Sequence, residues 1–325
     1  MANQVGQVRW GVVGAGRISR QFCADMHHTS NGEVAAVAAR DSQRASNFAA
    51  QHGIAVSYGN YQALFADPDI DAVYIATPHN CHFQQARQAL LAGKHVLVEK
   101  PFVGSSAQCS ELQNISAQQQ CFLMEAMWTW FLPAVGKARE WVKAGRIGNI
   151  EHIKADFGFP IPYAEDQREY DAALNGGCLL EMGIYPLALA LLFMERLPQK
   201  TEFFHHNAPN GVEDDVTLLA SYGEQTASLG ASFRTRLPNI AFIVGDRGQI
   251  HIPSFWCADS CLLFDLDSQV ESFHDHRQGK GFEFQIEAAG QSILRGELES
   301  AVMPLDSSFK LQLQMEQLLR RIHQS

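Results

Sequence analysis

Two short stretches hold residue types whose spacing could do chemistry. The first is Gly14-Ala15-Gly16, which follows the apolar run Val8 to Val13 and precedes a helical segment from Ile18. Glycine at 14 and 16 permits positive φ and lets backbone approach a pyrophosphate. The N–H groups of Arg17 and Ile18, opening the helix, would meet its charge. The small residue usual at the third motif position is Ser19 here, which still allows close helix–strand packing. The second stretch is "GKHVLVEKPF", residues 93–102, where the run from His95 to Val98 ends in Glu99 and Lys100 and stops on Pro101. Lysine seldom ends a buried strand for packing reasons. At the carboxyl end of a parallel sheet it would stand where α/β proteins bind ligands.

The elements that must position these residues follow from periodicity. Runs at 8–13, 33–39, 71–77 and 95–99 read as strands buried on both faces. Helical segments lie between them: Ile18 to about Met26, Ser42 to about Gln51, and His82 to a C′ glycine at Gly93. That alternation predicts right-handed crossovers and a doubly wound parallel sheet in an α/β fold. From about Ile150 the strand candidates crowd together, at 150–159, 215–222, 226–233, 240–246, 248–253 and 260–266, which predicts an antiparallel sheet. A helix over 133–144, an apolar helix from Gly177 and a final helix over 307–323 interrupt or follow it. The expected domains are 1–122 and 123–325, with a last helix that can pack back on the first domain.

The second strand ends in Ala39-Arg40-Asp41, where the ribose partner of a dinucleotide belongs. Arg40 would pair with a 2′-phosphate and stack on adenine, favouring NADP; Asp41 leaves NAD as the alternative.

Composition sets the outer bounds. The chain has 325 residues, 46% hydrophobic and 18% charged, as in a globular protein. A net charge of −10 without a Lys/Arg run argues against nucleic acid. The seven cysteines form no CxxC pair, so free thiols in a reducing cytoplasm are expected. The N-terminus lacks the order of a signal peptide. The longest apolar stretch, Leu179 to Phe193, is short for a membrane span and contains Glu181. "HNCH" (79–82), "HH" (205–206) and "HDH" (274–276) lack partner sets, so no metal is expected.

Thr77-Pro78 followed by His82, then "AGKHVLVEKP", in this order after a glycine loop, resembles the glucose–fructose oxidoreductase/inositol dehydrogenase family of NAD(P)-dependent enzymes. "EAMWTWFLPAV" (125–135), "GGCLLEMGIYPLAL" (176–189) and "GELESAVMPLDSS" are similar to its dihydrodiol and xylose dehydrogenase branch. The resemblance implies an N-terminal Rossmann domain, a C-terminal α+β domain with a large open antiparallel sheet, and homodimers through that sheet. It implies that Lys100 and Tyr185 flank the substrate hydroxyl, and it places Thr77, Pro78, His82 and Lys100 on the cofactor side, with Glu99 either beside the cofactor or orienting Lys100. Tyrosine, of ordinary pKa ~10, becomes a usable base beside an ammonium. Trp128, Phe159 and Arg168 are the further substrate candidates, with Trp130 and Phe131 extending an aromatic wall. Arg168 could equally be a surface arginine. Two departures stand out: Glu181 where many members have Asp, and Trp130 where several have Arg. The expected activity is hydride transfer between a nicotinamide cofactor and a secondary alcohol or carbonyl of a sugar, cyclic polyol or dihydrodiol. The rivals are an NAD-dependent inositol or sugar dehydrogenase and a non-catalytic sensor of the same fold.

Overall fold

A computed structural model describes residues 6–324; residues 1–5, at the start of the expected first domain, and 325 lie outside the described residues. In chain order the first elements are β1 (Val8–Val13), α1 (Arg17–Met26), β2 (Gly32–Ala38), α2 (Ser42–His52), β3 (Val56–Tyr58), α3 (Tyr61–Ala66), β4 (Ala72–Ile75), α4 (His82–Leu91), β5 (His95–Glu99), α5 (Ser106–Gln119) and β6 (Leu123–Ala126). The strands form one six-stranded sheet in the order β3-β2-β1-β4-β5-β6, and every pair in it is parallel. Trp10, Val12, Val13, Val96, Leu97 and Val98 are all 0% exposed, so strands sandwiched between helix layers need no polar alternation. The order reverses between β1 and β4, which opens a crevice at their carboxyl ends.

Lys94, the lysine of "AGK", is buried and donates from Nζ to the carbonyls of Asp67 and Ile70, both at 2.7 Å. It ties the loop that launches β5.

The remaining elements are α6 (Pro133–Lys143), β7 (Ile150–Gly158), α7 (Ile184–Met194), β8 (Lys200–Asn207), β9 (Glu213–Ser221), β10 (Thr226–Ser232), β11 (Ile240–Gly245), β12 (Gln249–Pro253), β13 (Ser260–Asp265), β14 (Ser268–His274), α8 (Phe282–Leu294) and α9 (Leu305–Ile322). The second sheet has eight strands in the order β14-β13-β12-β11-β7-β10-β9-β8. It is not wholly antiparallel: β7 and β10 run parallel. The chain leaves β7, passes through α7 and returns at the far edge, so the meander β8-β9-β10 ends beside β7 in the same direction. Helices α6 and α7 pack on one face of this sheet. The helical run Ala172–Met194, 23 residues, is long and apolar enough to cross a bilayer, yet 94% of its apolar window is buried inside the protein. Here its apolarity serves the core.

The chain divides into two compact units, though not by one cut at 122/123. Residues up to Trp128 cluster with Arg277–Gln312, and Thr129–His276 cluster with the residues from Leu313. The boundary moves to Trp128 because β6 pairs in register with β5. Residues 277–312 join the first unit because buried Asp25, on α1, accepts the N–H groups of Lys280 and Phe282 at the start of α8. The Leu123 N–H donates to Leu298 O at 3.0 Å, and Gln113 Nε2 to Leu305 O at 2.9 Å.

Candidate active site

In the first unit the expected cofactor residues gather at the carboxyl edge of the sheet. Gly14 has φ +106, and a Cβ there would lie 2.8 Å from Ala76 O at the end of β4. Only glycine fits between β1 and β4. Gly16 differs from the expectation of positive φ. Its φ is −106, in extended backbone, and a Cβ would meet nothing within 4 Å. The second glycine therefore answers no demand of the protein's own packing; it leaves space over the start of α1. Asp41, Asn60 and Ser105 cap α2, α3 and α5 with side-chain oxygens, whereas α1 has no side-chain cap and no acidic residue in its first turn. An uncapped N-terminus beneath open space fits a dinucleotide pyrophosphate. Arg17 is exposed and Ile18 half-buried there. The Ser19 hydroxyl, fully buried, donates to Gly14 O at 2.6 Å.

Arg40 is exposed just after β2. Asp41 is engaged as the N-cap of α2, its carboxylate accepting the Arg44 N–H at 2.6 Å. Sequence reasoning missed Arg44, whose guanidinium donates to Ala15 O at 3.1 and 3.3 Å. Its position on the first turn of α2 was the available signal, since a side chain there reaches back toward the glycine loop.

Thr77 and Pro78 follow β4, with Thr77 Oγ1 donating to Gln85 Oε1 at 2.5 Å. His82 is 1% exposed, with Nδ1 2.9 Å from Pro101 O and Nε2 3.0 Å from Thr77 O. Burial, reinforced by His79, pushes it down to about 4, so the ring is neutral at pH 7. A neutral imidazole has one N–H and donates to one of these carbonyls at a time. His82 thus lies between the main chain at Thr77, after β4, and at Pro101, next to Lys100. Glu99 Oε2 accepts the Lys100 N–H at 3.1 Å and the Tyr74 hydroxyl donates to Oε1, so Glu99 holds the main chain at Lys100. Lys100 is half-buried and is joined to Pro101 by a cis peptide bond. Trp128 packs on Phe282, ring centroids 4.8 Å apart.

In the second unit Tyr185 is 7% exposed on the first turn of α7, behind a π-helical turn, Leu179–Gly183. Such turns re-aim a helix face and recur at functional positions. The Tyr185 ring meets Phe157 edge-on at 5.3 Å. Phe157 stacks on Trp256 at 4.5 Å, and Phe159 lies edge-on to Trp256 at 5.6 Å. Within this unit the rings gathered beside Tyr185 are Phe157, Phe159 and Trp256. Trp256, after β12, lay too far along the chain for spacing to reveal it. Arg236 sits over the Phe159 ring at 5.5 Å.

Arg168 is no isolated surface arginine. It pairs with Glu181 at 2.6 Å and with Glu169 at 3.4 Å. Burial opposes its charge, but the hydrogen bonds and charges of these carboxylates outweigh it and hold the guanidinium above its ordinary value. The longer Glu181 thus reaches an arginine, one turn before Tyr185. The double glycine ahead of α7 has steric causes. A Cβ at Gly176 would lie 2.6 Å from Glu169 O, and one at Gly177, with φ +133, 2.1 Å from Glu213 Oε1.

Comparison with known proteins decides the family. Residues 8–127 match the family model described as "Oxidoreductase family, NAD-binding Rossmann fold", and residues 135–251 match "GFO/IDH/MocA C-terminal domain". The chain belongs to the GFO/IDH/MocA family. It is 33% identical to a trans-1,2-dihydrobenzene-1,2-diol dehydrogenase of Xenopus laevis, over 97% of this chain and 98% of the relative. It is equally 33% identical to the human enzyme of that name, over 93% of this chain and 92% of that one. Among solved structures it is similar to KijD10, a 3-ketoreductase from Actinomadura kijaniata in complex with NADP and TDP-benzene, with TM-score 0.83, 26% identity and 96% of each chain covered. An aldose-aldose oxidoreductase from Caulobacter crescentus shares the fold, with TM-score 0.87 and 21% identity over 98% of each chain. As a GFO/IDH/MocA member the chain is an NAD(P)-dependent oxidoreductase of the dihydrodiol branch, with a dinucleotide-binding Rossmann unit.

Proposed function

We propose that the chain prefers NADP and moves a hydride between its nicotinamide and a secondary alcohol or carbonyl of a sugar, cyclic polyol or dihydrodiol. One observation carries the reading: the sheet edge that presents the uncapped start of α1 under Gly16 also ends β5 on Lys100. For the phosphate, exposed Arg40 and nearby Arg44 supply two cations, while Asp41 is occupied as a helix cap.

The bound dinucleotide supplies the hydride acceptor or donor. The chain's part is orientation and one proton transfer. Lys100 holds the substrate oxygen, kept in place by Glu99. Tyr185, its ring fixed by Phe157, takes the hydroxyl proton in oxidation and returns it in reduction. Phe157, Phe159 and Trp256 offer aromatic faces to the apolar side of a ring. Arg168, balanced by Glu169 and Glu181, adds no surplus positive charge, which suits an uncharged, hydroxyl-bearing substrate. The names of the dihydrodiol dehydrogenases and of the 3-ketoreductase support the same class.

The proposal extends to a homodimer through the open face of the second sheet and to a cytoplasmic setting, in keeping with seven free thiols. The test is fluorescence titration with NADPH and NADH, followed by turnover on sugars, inositols and dihydrodiols. Tighter NADPH binding with turnover on that panel is expected. Nucleotide binding without turnover would favour the sensor, and binding of neither nucleotide would overturn the reading.

A further inference from the structure

Two buried carboxyls hold the turn that bears Lys100. Glu99 accepts the Lys100 N–H at 3.1 Å, and Glu125 Oε1 accepts the Phe102 N–H at 3.0 Å. The two glutamates stand at adjacent ends of neighbouring strands, Glu125 beside Val98 in the β5–β6 register. They are 6% and 1% exposed. Glu99 has a second donor in the Tyr74 hydroxyl. Glu125 is provided for differently: its Oε2 is buried without a hydrogen bond of normal geometry, and the Ser308 hydroxyl of α9 stands beside it. An amide would accept the Phe102 N–H without a carboxyl's cost of burial. The chain places an ionisable group there instead.

We propose that Glu125 is a positioning residue for Lys100, anchoring the Lys100-Pro101-Phe102 turn and biasing the lysine toward its ammonium form. This rests on the reading of Lys100 as the group that holds the substrate oxygen. Burial pushes Glu125 up to about 7; Glu99 adds to the rise, while Ser308, the Phe102 N–H and Lys100 oppose it. The charged groups that face it are Glu99 from β5 and Lys100 from the turn. Attraction between Glu125 and Lys100 is mutual, so an ionised Glu125 favours the ammonium and a neutral one releases it. Glu125 thus acts on Lys100 in two ways, through the turn it anchors at the Phe102 N–H and through the charge it places beside the ammonium.

The test reads Lys100 directly. The full-length protein is trace-labelled with acetic anhydride from about pH 6 to about pH 9, and acetylation of Lys100 is followed by mass spectrometry. In Glu125→Gln, at about pH 8, Lys100 should acetylate roughly threefold faster than in the wild type, the two converging at about pH 6. The kcat–pH profile should lose its inflection near neutrality. Ser308→Ala, which keeps both glutamates, should move the wild-type inflection in Lys100 labelling upward. Superimposable labelling curves for the wild type and either variant would overturn the proposal. If Glu125→Gln does not fold, the Ser308→Ala curve decides. Labelling needs no substrate, so a wild type that labels as expected yet turns nothing over would count against the oxidoreductase assignment and not against Glu125.

Discussion

On the proposed reading Lys100 and Tyr185 serve the substrate, whereas Arg40 and Arg44 serve the cofactor. Lys100→Ala and Tyr185→Phe should each lower kcat strongly while leaving NADPH binding nearly intact, because neither change touches the α1 terminus. A Tyr185→Phe enzyme that keeps more than about a tenth of wild-type kcat would end the acid/base assignment. Arg40→Asp should weaken NADPH far more than NADH, since the new carboxylate repels a 2′-phosphate and accepts from a free 2′-hydroxyl. Arg44→Ala should do the same more mildly, its loss of NADPH affinity falling as salt is added. Equal losses for both nucleotides, measured by fluorescence titration, would remove the phosphate role from either residue. At this scale the sequence points to residues that sit within a few positions of a motif, as Lys100 and Gly14 do. It is silent on Arg44, Trp256 and Glu125, whose contacts with Ala15, Phe157 and Phe102 exist only once the chain has folded.

At the scale of elements, the segment that launches α7 is held by contacts with the backbone and with Glu213. Glu213 is 2% exposed, and its Oε1 accepts the Leu179 N–H at 3.4 Å. Burial pushes its carboxyl up from 4.5 to about 7. The folded state therefore binds this proton more tightly than the unfolded chain does. Its stabilising effect is complete below the unfolded value and is lost as pH rises through the folded one. Between those values the wild type should lose roughly 3 kcal/mol relative to Glu213→Gln. Thermal melts of both proteins from about pH 5 to about pH 8 check this, and parallel melting curves would refute it. Gly177→Ala should cost more than about 2 kcal/mol at any pH, because it combines positive φ with a close approach to Glu213. The early strands were legible because burial on both faces removes polar interruptions from them. The three-residue β3 was not, since at Val56–Tyr58 it is too short for a period to register. β8 was hidden for another reason: Lys200, Glu202 and two histidines fill an edge strand with polar residues. α8 lay in a segment whose place depends on Asp25, about 255 residues earlier.

For the whole molecule, the open face of the second sheet makes the strongest demand. Leu219, Ser228, Lys154, Phe242, His251 and Leu262 follow one another across six strands in register, so their side chains share the face opposite α6 and α7. Phe204 is 82% exposed and Leu219 56%, and Phe242, Leu262 and Phe264 are only half-buried. His251 lies between the Phe242 and Phe264 rings, with centroids at 4.6 and 4.2 Å. Phe204 and Leu219 at one side and Phe242, Leu262 and Phe264 at the other, with Ser228 and Lys154 between them, leave apolar side chains on this face for a partner to cover. A second copy, presenting the same face, would cover it with matching chemistry. The wild type should therefore show twice the chain mass in light scattering. Leu219→Glu combined with Phe204→Ser should shift that mass toward the single chain at micromolar concentration, with secondary structure unchanged. NADPH affinity should hold within about twofold, because both changes lie on the second unit and the glycine loop belongs to the first. A double variant that stays dimeric would place the subunit contact elsewhere, and a wild type of single-chain mass would leave this face to a different partner.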